Sequence, residues 1–259
     1  MQKVTSKDGT QIAYDRIGKG PALILVGGVL GDRSQQAPLA ALLADRFTVF
    51  NYDRRGHGES GDNPPYAVER EVDDLEALMS EAGGSAFVYG TSGCAILALE
   101  AVRSPAMKIK KLALWEPPYI VNGSRPPVPS DYRTQLTRLL ALNRRGDMVE
   151  LFMTKAVGMP VEMVAPMRNS PWWPAQEALA HTLIYDAILM GDYSLPVGRM
   201  ATVTVPTLII DGGETPWLSQ AAQAVADALP NAQRITLKGQ PHNVDPAAIA
   251  PVLEKFFTA

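Results

Sequence analysis

Residues 87–102, FVYGTSGCAILALEAV, constrain the fold more than any other stretch of the chain. An apolar, aromatic-rich run passes through GTSG into a run of Ala, Leu, Ile and Cys that contains no turn residue, so a strand must enter a helix within a few residues. A junction that sharp needs small neighbours, and Gly90 and Gly93 supply them. It also lifts Ser92 into a strained, accessible position, which is how G-x-S-x-G turns present a nucleophile. Cys94 stands where the second glycine of that pattern would be. It is small enough for the turn and, two residues into the helix, should point into packed core as an inert space-filler.

The rest of the chain repeats the strand and helix alternation. QIAYDRIG, ALILVGG, FTVFNYD and FVYG read as strands, VEREVDDLEALMSEAG as an amphipathic helix, and IKKLALWEP as a further strand. Such alternation implies an α/β fold with a mostly parallel sheet covered by helices on both faces. After Pro117 the rhythm stops. Residues 118–200 read as short helices broken by Pro and Gly, with SRPPVPSDY as the tether. It resumes with VPTLIIDGG, a helix LSQAAQAVADALP, a strand AQRITLKG and a final helix PAAIAPVLEKFFTA. Residues 1–117 and 201–259 therefore form the core, and 118–200 a helical cap inserted between two parts of one sheet.

At 259 residues and 46% hydrophobic, the chain is long and apolar enough to bury such a core. A net charge of −3 without a Lys/Arg-rich stretch gives no reason to expect nucleic acid or an anionic membrane as partner. A small, roughly neutral ligand is the default. MQKVTSKDGT lacks the apolar centre of a signal peptide, and ALILVGGVL is too short to span a bilayer, so a cytoplasmic location is expected. One cysteine excludes an internal disulfide framework. The histidines His57, His181 and His242 lack metal-ligand spacing, so no metal is expected.

YGTSGCA, DRRGHGES at 53–60 and the late GQPHNVDP occur in the order and spacing of the α/β-hydrolase fold family, which the chain resembles over nearly its whole length outside the cap. DRRGHGES is similar to that family's D-x-R-G-x-G-x-S loop, in which His57 would be structural. The resemblance implies Ser92 as nucleophile and His242, between the last strand and the last helix, as its base; His181 lies within the cap pattern. It also implies an oxyanion hole made by the backbone N–H groups of Gly93 and of Val29, the latter following Gly27-Gly28 where the family usually has His-Gly. The acid departs from the common pattern. Three residues beyond Gly212, where Asp is usual, the chain has Thr215. Glu116, at the end of the strand after the nucleophile helix, is the preferred candidate over Glu214, with Asp211 belonging to the strand itself. Zearalenone lactonases, which the nucleophile turn and the EP segment resemble, place their acid on this strand.

A serine, a histidine and an oxyanion hole together specify acyl transfer, and Ser92 excludes the alkyl-ester chemistry of the aspartate-dependent branches. The expected function is hydrolysis of a carboxylic ester or lactone of a small, largely apolar substrate through an acyl-enzyme. A non-catalytic or very slow ligand receptor and a cofactor-free perhydrolase or carbon–carbon bond hydrolase share the same motifs. Neither a dinucleotide fingerprint nor a P-loop is present, so no cofactor is expected. Met153, Met159, Met163, Met167, Trp172, Trp173 and Tyr185 in the cap are candidates to line an apolar cavity, with Trp172 or Trp173 the first choice for a ligand contact. Oligomeric state is not legible.

Overall fold

The strand runs lie side by side in one sheet, and their burial follows their composition. The computed structural model describes residues 1–259. Its strands are β1 (Gln2–Thr5), β2 (Gln11–Ile17), β3 (Ala22–Val26), β4 (Thr48–Tyr52), β5 (Ala86–Thr91), β6 (Ile109–Trp115), β7 (Thr207–Gly213) and β8 (Ala232–Gln240). Their order across the sheet is β1-β2-β4-β3-β5-β6-β7-β8. β1 and β2 are antiparallel to their neighbours and all remaining pairs are parallel. The central strands are nearly continuous in apolar residues because both faces are covered, whereas the edge strand β8 is mostly part-exposed.

The helices of the first half are α1 (Ala37–Leu43), α2 (Val68–Glu81) and α3 (Gly93–Ala101). Between β6 and β7 there is no strand but a run of helices, α4 (Tyr132–Ala141), α5 (Arg145–Leu151), a π-helical turn (Phe152–Val157), α6 (Val161–Val164), α7 (Trp173–Leu179), α8 (Leu183–Met190) and α9 (Val197–Met200), with 3-10 turns at Ala165–Asn169 and Ala180–Thr182. α10 (Pro216–Ala228) and α11 (Pro246–Thr258) complete the chain. α1 and α11 cover one face of the sheet with Leu39, Leu43, Ile249, Leu253 and Phe257. α2, α3 and α10 cover the other. The buried side chains of the β6–β7 segment, among them Leu136, Met148, Trp173 and Leu183, are continuous with that second core. None of the helices is long and apolar enough to cross a membrane.

Two elements escape the sequence patterns. β1, QKVT, has no apolar run and is a strand because β2 offers it an edge, with Lys3 opposite Ala13. α1, APLAALL, is too short to show a helical period, and it begins at a Pro-containing first turn that its fixed φ favours.

The DRRGHGES loop fastens the structure after β4. Asp53 accepts from the backbone N–H groups of Arg33 and Glu59 at 2.7 and 2.8 Å. Arg55 is paired with Asp74 on α2 at 2.7 Å and with Asp8 at 3.0 Å. Arg54, almost fully buried, donates to Glu71 on α2 at 2.6 and 2.8 Å and to Asp186 on α8 at 2.7 Å. One guanidinium thus joins the core to the β6–β7 segment. Its two carboxylate partners are as buried as it is, so removing the cation strands both. Arg54→Met should lower unfolding stability by about 3–5 kcal/mol, measured by urea denaturation at pH 7.

Candidate active site

The site is built where β5 and β6 end. Ser92 follows β5 at φ 55°, ψ −132°, outside the regions a serine prefers, a strain of about 1–3 kcal/mol that the surrounding packing must hold. That packing leaves no space for side chains at the flanking glycines. A Cβ on Gly90 would lie 2.9 Å from Ala95 Cα and from Ala98 Cβ. One on Gly93 would lie 2.2 Å from Met190 Cε and 2.9 Å from Val29 Cγ2. Cys94 is fully buried and its thiol is pushed up to about 12 by that burial, which keeps it protonated and unreactive at neutral pH.

His242 and Glu116 converge on this turn. Ser92 Oγ lies 3.0 Å from His242 Nε2, and His242 Nδ1 lies 2.5 Å from Glu116 Oε2. A carboxylate only accepts, so Nδ1–H donates to Glu116 and Nε2 is left to accept from the serine hydroxyl. Glu116 is 1% exposed, and its other oxygen accepts from the Gly212 N–H at 2.9 Å. Its backbone N–H still bonds Ile210 on β7 at 2.9 Å, while a left-handed φ of 43° turns the chain away from the sheet before Pro117.

Trp115 connects the three residues. Its carbonyl accepts from Ser92 N–H at 2.8 Å, and its buried indole N–H donates to the His242 carbonyl at 2.8 Å. This anchor is not legible in the sequence, because a tryptophan at the end of a buried strand reads as core.

The other candidates for the acid are occupied or turned away. Asp211 is fully buried against Arg234 at 2.8 Å and accepts from Ser219 at 2.8 Å. Glu214 is exposed, and Thr215 lies in the cavity wall. The N–H groups of Val29 and Gly93 have no acceptor within the chain, and the two residues are packed against each other beside Ser92. Gly93 opens α3, whose first-turn N–H groups have no helical partner. The arrangement provides a hydroxyl, a base in reach of it, a buried acid behind the base and two unpaired donors. No three His, Cys, Asp or Glu side chains converge as a metal site would require.

A cavity of about 360 Å³ opens above Ser92 and His242. Phe152, Ala156 and Val157 from the β6–β7 segment, Thr215, Trp217 and Leu218 from the start of α10, Tyr193, and Gln35 and Gln36 contribute to its lining, with Met190 against Gly93. The cap residues named from sequence are not in this wall. Trp173 is buried in the core of the β6–β7 segment, donating to Glu177 at 2.8 Å with Arg168 over its ring. Trp172 is 43% exposed on the outside. Met153, Met159 and Met167 pack against the same core, Met163 is exposed, and Tyr185 stacks on Tyr66 and donates to Asp62. From the π-helical turn Phe152, Ala156 and Val157 reach the cavity, whereas Met153 is taken up by the core of the β6–β7 segment. Trp217 had a legible signal, since it lies two residues beyond the vacated acid position Thr215.

His57 and His181 stand apart from the cavity wall. His57 donates from Nδ1 to the Arg55 carbonyl at 2.9 Å, and burial, reinforced by the Arg54 cation, lowers its pKa to about 4. Burial also lowers the pKa of His181, with Arg145 adding to the effect.

The chain belongs to the alpha/beta hydrolase family, whose family model matches residues 23–252. A solved alpha/beta hydrolase from Sphaerobacter thermophilus is 54% identical, covers 99% of this chain and 100% of its own, and superposes with a TM-score of 0.94. Two further solved structures share the fold over nearly the full length: an esterase from Thermogutta terrifontis (21% identity, 99% and 97% covered, TM-score 0.76) and an enol-lactonase from Burkholderia xenovorans (22%, 100% and 100%, 0.71). Among curated relatives, an uncharacterised hydrolase of Bacillus subtilis is 36% identical over 38% of this chain and 38% of its own length. A proline iminopeptidase of Pestalotiopsis fici is matched over 31% of its length, so these two relatives align over only about a third of themselves.

Two measurements test the local structure. The hydrogen bond between His242 and Glu116 should give a far-downfield proton resonance in NMR spectra. Glu116→Gln should abolish it, and Trp115→Phe, which keeps an aromatic side chain but loses the indole N–H and some buried volume, should broaden it through faster solvent exchange. For His57, the unfolded chain takes up a proton between about pH 6.5 and pH 4 that the folded chain excludes. Stability should therefore fall as pH drops through that interval. In His57→Asn the slope of unfolding free energy against pH there should be shallower, as followed by urea denaturation.

Proposed function

We propose that the protein is a serine hydrolase that cleaves a small, uncharged carboxylic ester or lactone through an acyl-enzyme. The observation that carries this reading is the relay Ser92–His242–Glu116, in which the serine hydroxyl faces a histidine nitrogen whose opposite N–H is held by a buried carboxylate. As Ser92 Oγ attacks the substrate carbonyl carbon, its proton passes to His242 Nε2, and Glu116 stabilises the imidazolium and fixes its tautomer. The oxyanion is received by the N–H groups of Val29 and Gly93. Collapse breaks the bond to the leaving alkoxide, which takes the proton from Nε2. Water then enters by the same route, releasing the carboxylic acid and restoring the serine hydroxyl.

The cavity supports the substrate class. Its wall contains no Asp, Glu, Lys or Arg, and beyond Ser92 and His242 its polar side chains are the uncharged Gln35, Gln36, Asn243, Thr91, Thr215, Tyr89, Tyr193 and Trp217. An ionic acyl group would lose its hydration there without gaining a counter-ion. The β6–β7 helices contribute Phe152, Ala156, Val157 and Met190 to the wall and act in this reading as the cap that selects the substrate.

The test is initial-rate hydrolysis of short and long p-nitrophenyl esters and of small lactones by the purified protein. Ser92→Ala should lose essentially all turnover; turnover equal to wild type would remove the nucleophile assignment. Glu116→Gln should lower kcat by about 10⁴-fold, with Glu214→Gln close to wild type. A neutral ester should be preferred about tenfold or more over an isosteric half-ester bearing a free carboxylate.

A further inference from the structure

Two parts of the cavity wall come from distant parts of the chain, Phe152, Ala156 and Val157 from the β6–β7 segment and Trp217 from α10. A single side chain ties them together. Arg125 donates to the carbonyls of Ala156 at 2.8 Å, Val157 at 3.0 Å and Lys155 at 3.1 Å, which are the last carbonyls of the π-helical turn. The same guanidinium lies over the Trp217 ring, with Cζ 4.7 Å from the centroid.

Three features make this contact specific. Gly158 ends the turn at a φ of 87° that favours glycine, and a Cβ there would lie 2.9 Å from an Arg125 nitrogen, so a side chain would push the guanidinium from its place. Arg125 precedes Pro126, which disfavours helical backbone at Arg125 and so narrows the directions from which its side chain starts. Arg125 forms no salt bridge, and its partial burial disfavours the charge, so the cation is stabilised by the helix-end carbonyls and the indole face rather than by a carboxylate.

We infer that Arg125 is a positioning residue that sets substrate specificity, clamping the Phe152–Val157 wall to Trp217 and thereby fixing the width of the cavity. This rests on the ester-hydrolase reading for its substrate, but the clamp itself does not. Guanidinium is suited to the task because its planar fork reaches several carbonyls while its face stacks on an aromatic ring, which an ammonium cannot do. With the clamp intact the wall is rigid and the cavity stays small. Without it Phe152, Ala156 and Val157 move away from Trp217, and longer acyl chains enter.

The test compares Arg125→Met, Arg125→Lys and Trp217→Leu, the last of which removes the ring and leaves the carbonyl bonds. Hydrogen exchange, followed by mass spectrometry in a Ser92→Ala background, reads the clamp without any turnover. Peptides covering 152–157 should exchange about tenfold faster in Arg125→Met and also in Arg125→Lys, with β5 and β6 unchanged. On p-nitrophenyl acetate and octanoate, with Ser92 intact, the acetate-to-octanoate ratio of kcat/KM should fall about fivefold or more in all three variants. The change should lie mainly in KM. Unchanged exchange at 152–157, or equal acceleration over the whole chain, overturns the clamp. Full rescue by Lys with a loss confined to carboxylate-bearing esters overturns it in favour of an anion site. Faster local exchange in a protein whose wild type cleaves no ester supports the clamp and removes the ester-hydrolase reading instead.

Discussion

The end of β6 is the point on which the site depends. Within two consecutive residues, Trp115 and Glu116, the chain fixes the backbone of the candidate nucleophile, the backbone of the candidate base and the carboxylate behind that base. Each of these contacts is made by a group that the sheet already immobilises. Trp115 is fully buried and paired with β5, and Glu116 is held through its N–H to β7 before its backbone turns away. A carboxylate launched from a rigid strand end loses little conformational entropy when it orients a histidine. That advantage compensates for the strained φ angles at Ser92 and Glu116, which the sheet and α3 over-determine.

With Glu116 at the end of β6 meeting His242, the end of β7 is left to other uses. Where the family commonly has an aspartate, Thr215 is free to line the cavity, and Gly212 donates its N–H to Glu116. Asp211, one residue earlier, is neutralised by Arg234 and contributes no stray negative charge near the histidine. The result is a cavity whose lining contains no Asp, Glu, Lys or Arg, with the Glu116 carboxylate buried behind His242. Charge is concentrated instead at the joint between the sheet and the β6–β7 helices, where Arg54 meets Glu71 and Asp186 out of solvent. Breaking one partner of such a group costs far more than the intact group contributes, so it specifies how the helices seat on the core.

Much of the fold was legible because its signals are local. Seven of the eight strands coincide with apolar runs, and α2, α10 and α11 with amphipathic patterns. β1 and α1 were not legible, since a polar four-residue strand and a seven-residue helix take their structure from the neighbours they cover. The geometry brings Ser92, His242 and Glu116 together from three motifs far apart in sequence. The cap residues Trp172, Trp173, Met153 and Met159 were misplaced for the opposite reason. Aromatic and thioether side chains are equally suited to a cavity or to a helical core, and composition cannot say which face of a short helix turns inward.

By itself the sequence determined the strand-to-helix turn at Ser92, because Gly90 and Gly93 are the residues that allow so close an approach, and it determined an α/β architecture through alternating periods of hydrophobicity. It also narrowed the acid, since threonine at 215 cannot carry charge. Tertiary structure alone decided that Glu116 rather than Glu214 meets His242, that Trp115 carries the histidine loop, and that Phe152, Trp217 and Tyr193 enclose the cavity. The physical reason is that these are contacts across the sheet and between distant helices. Their partners are set by strand order and helical phase, which no short stretch of sequence contains.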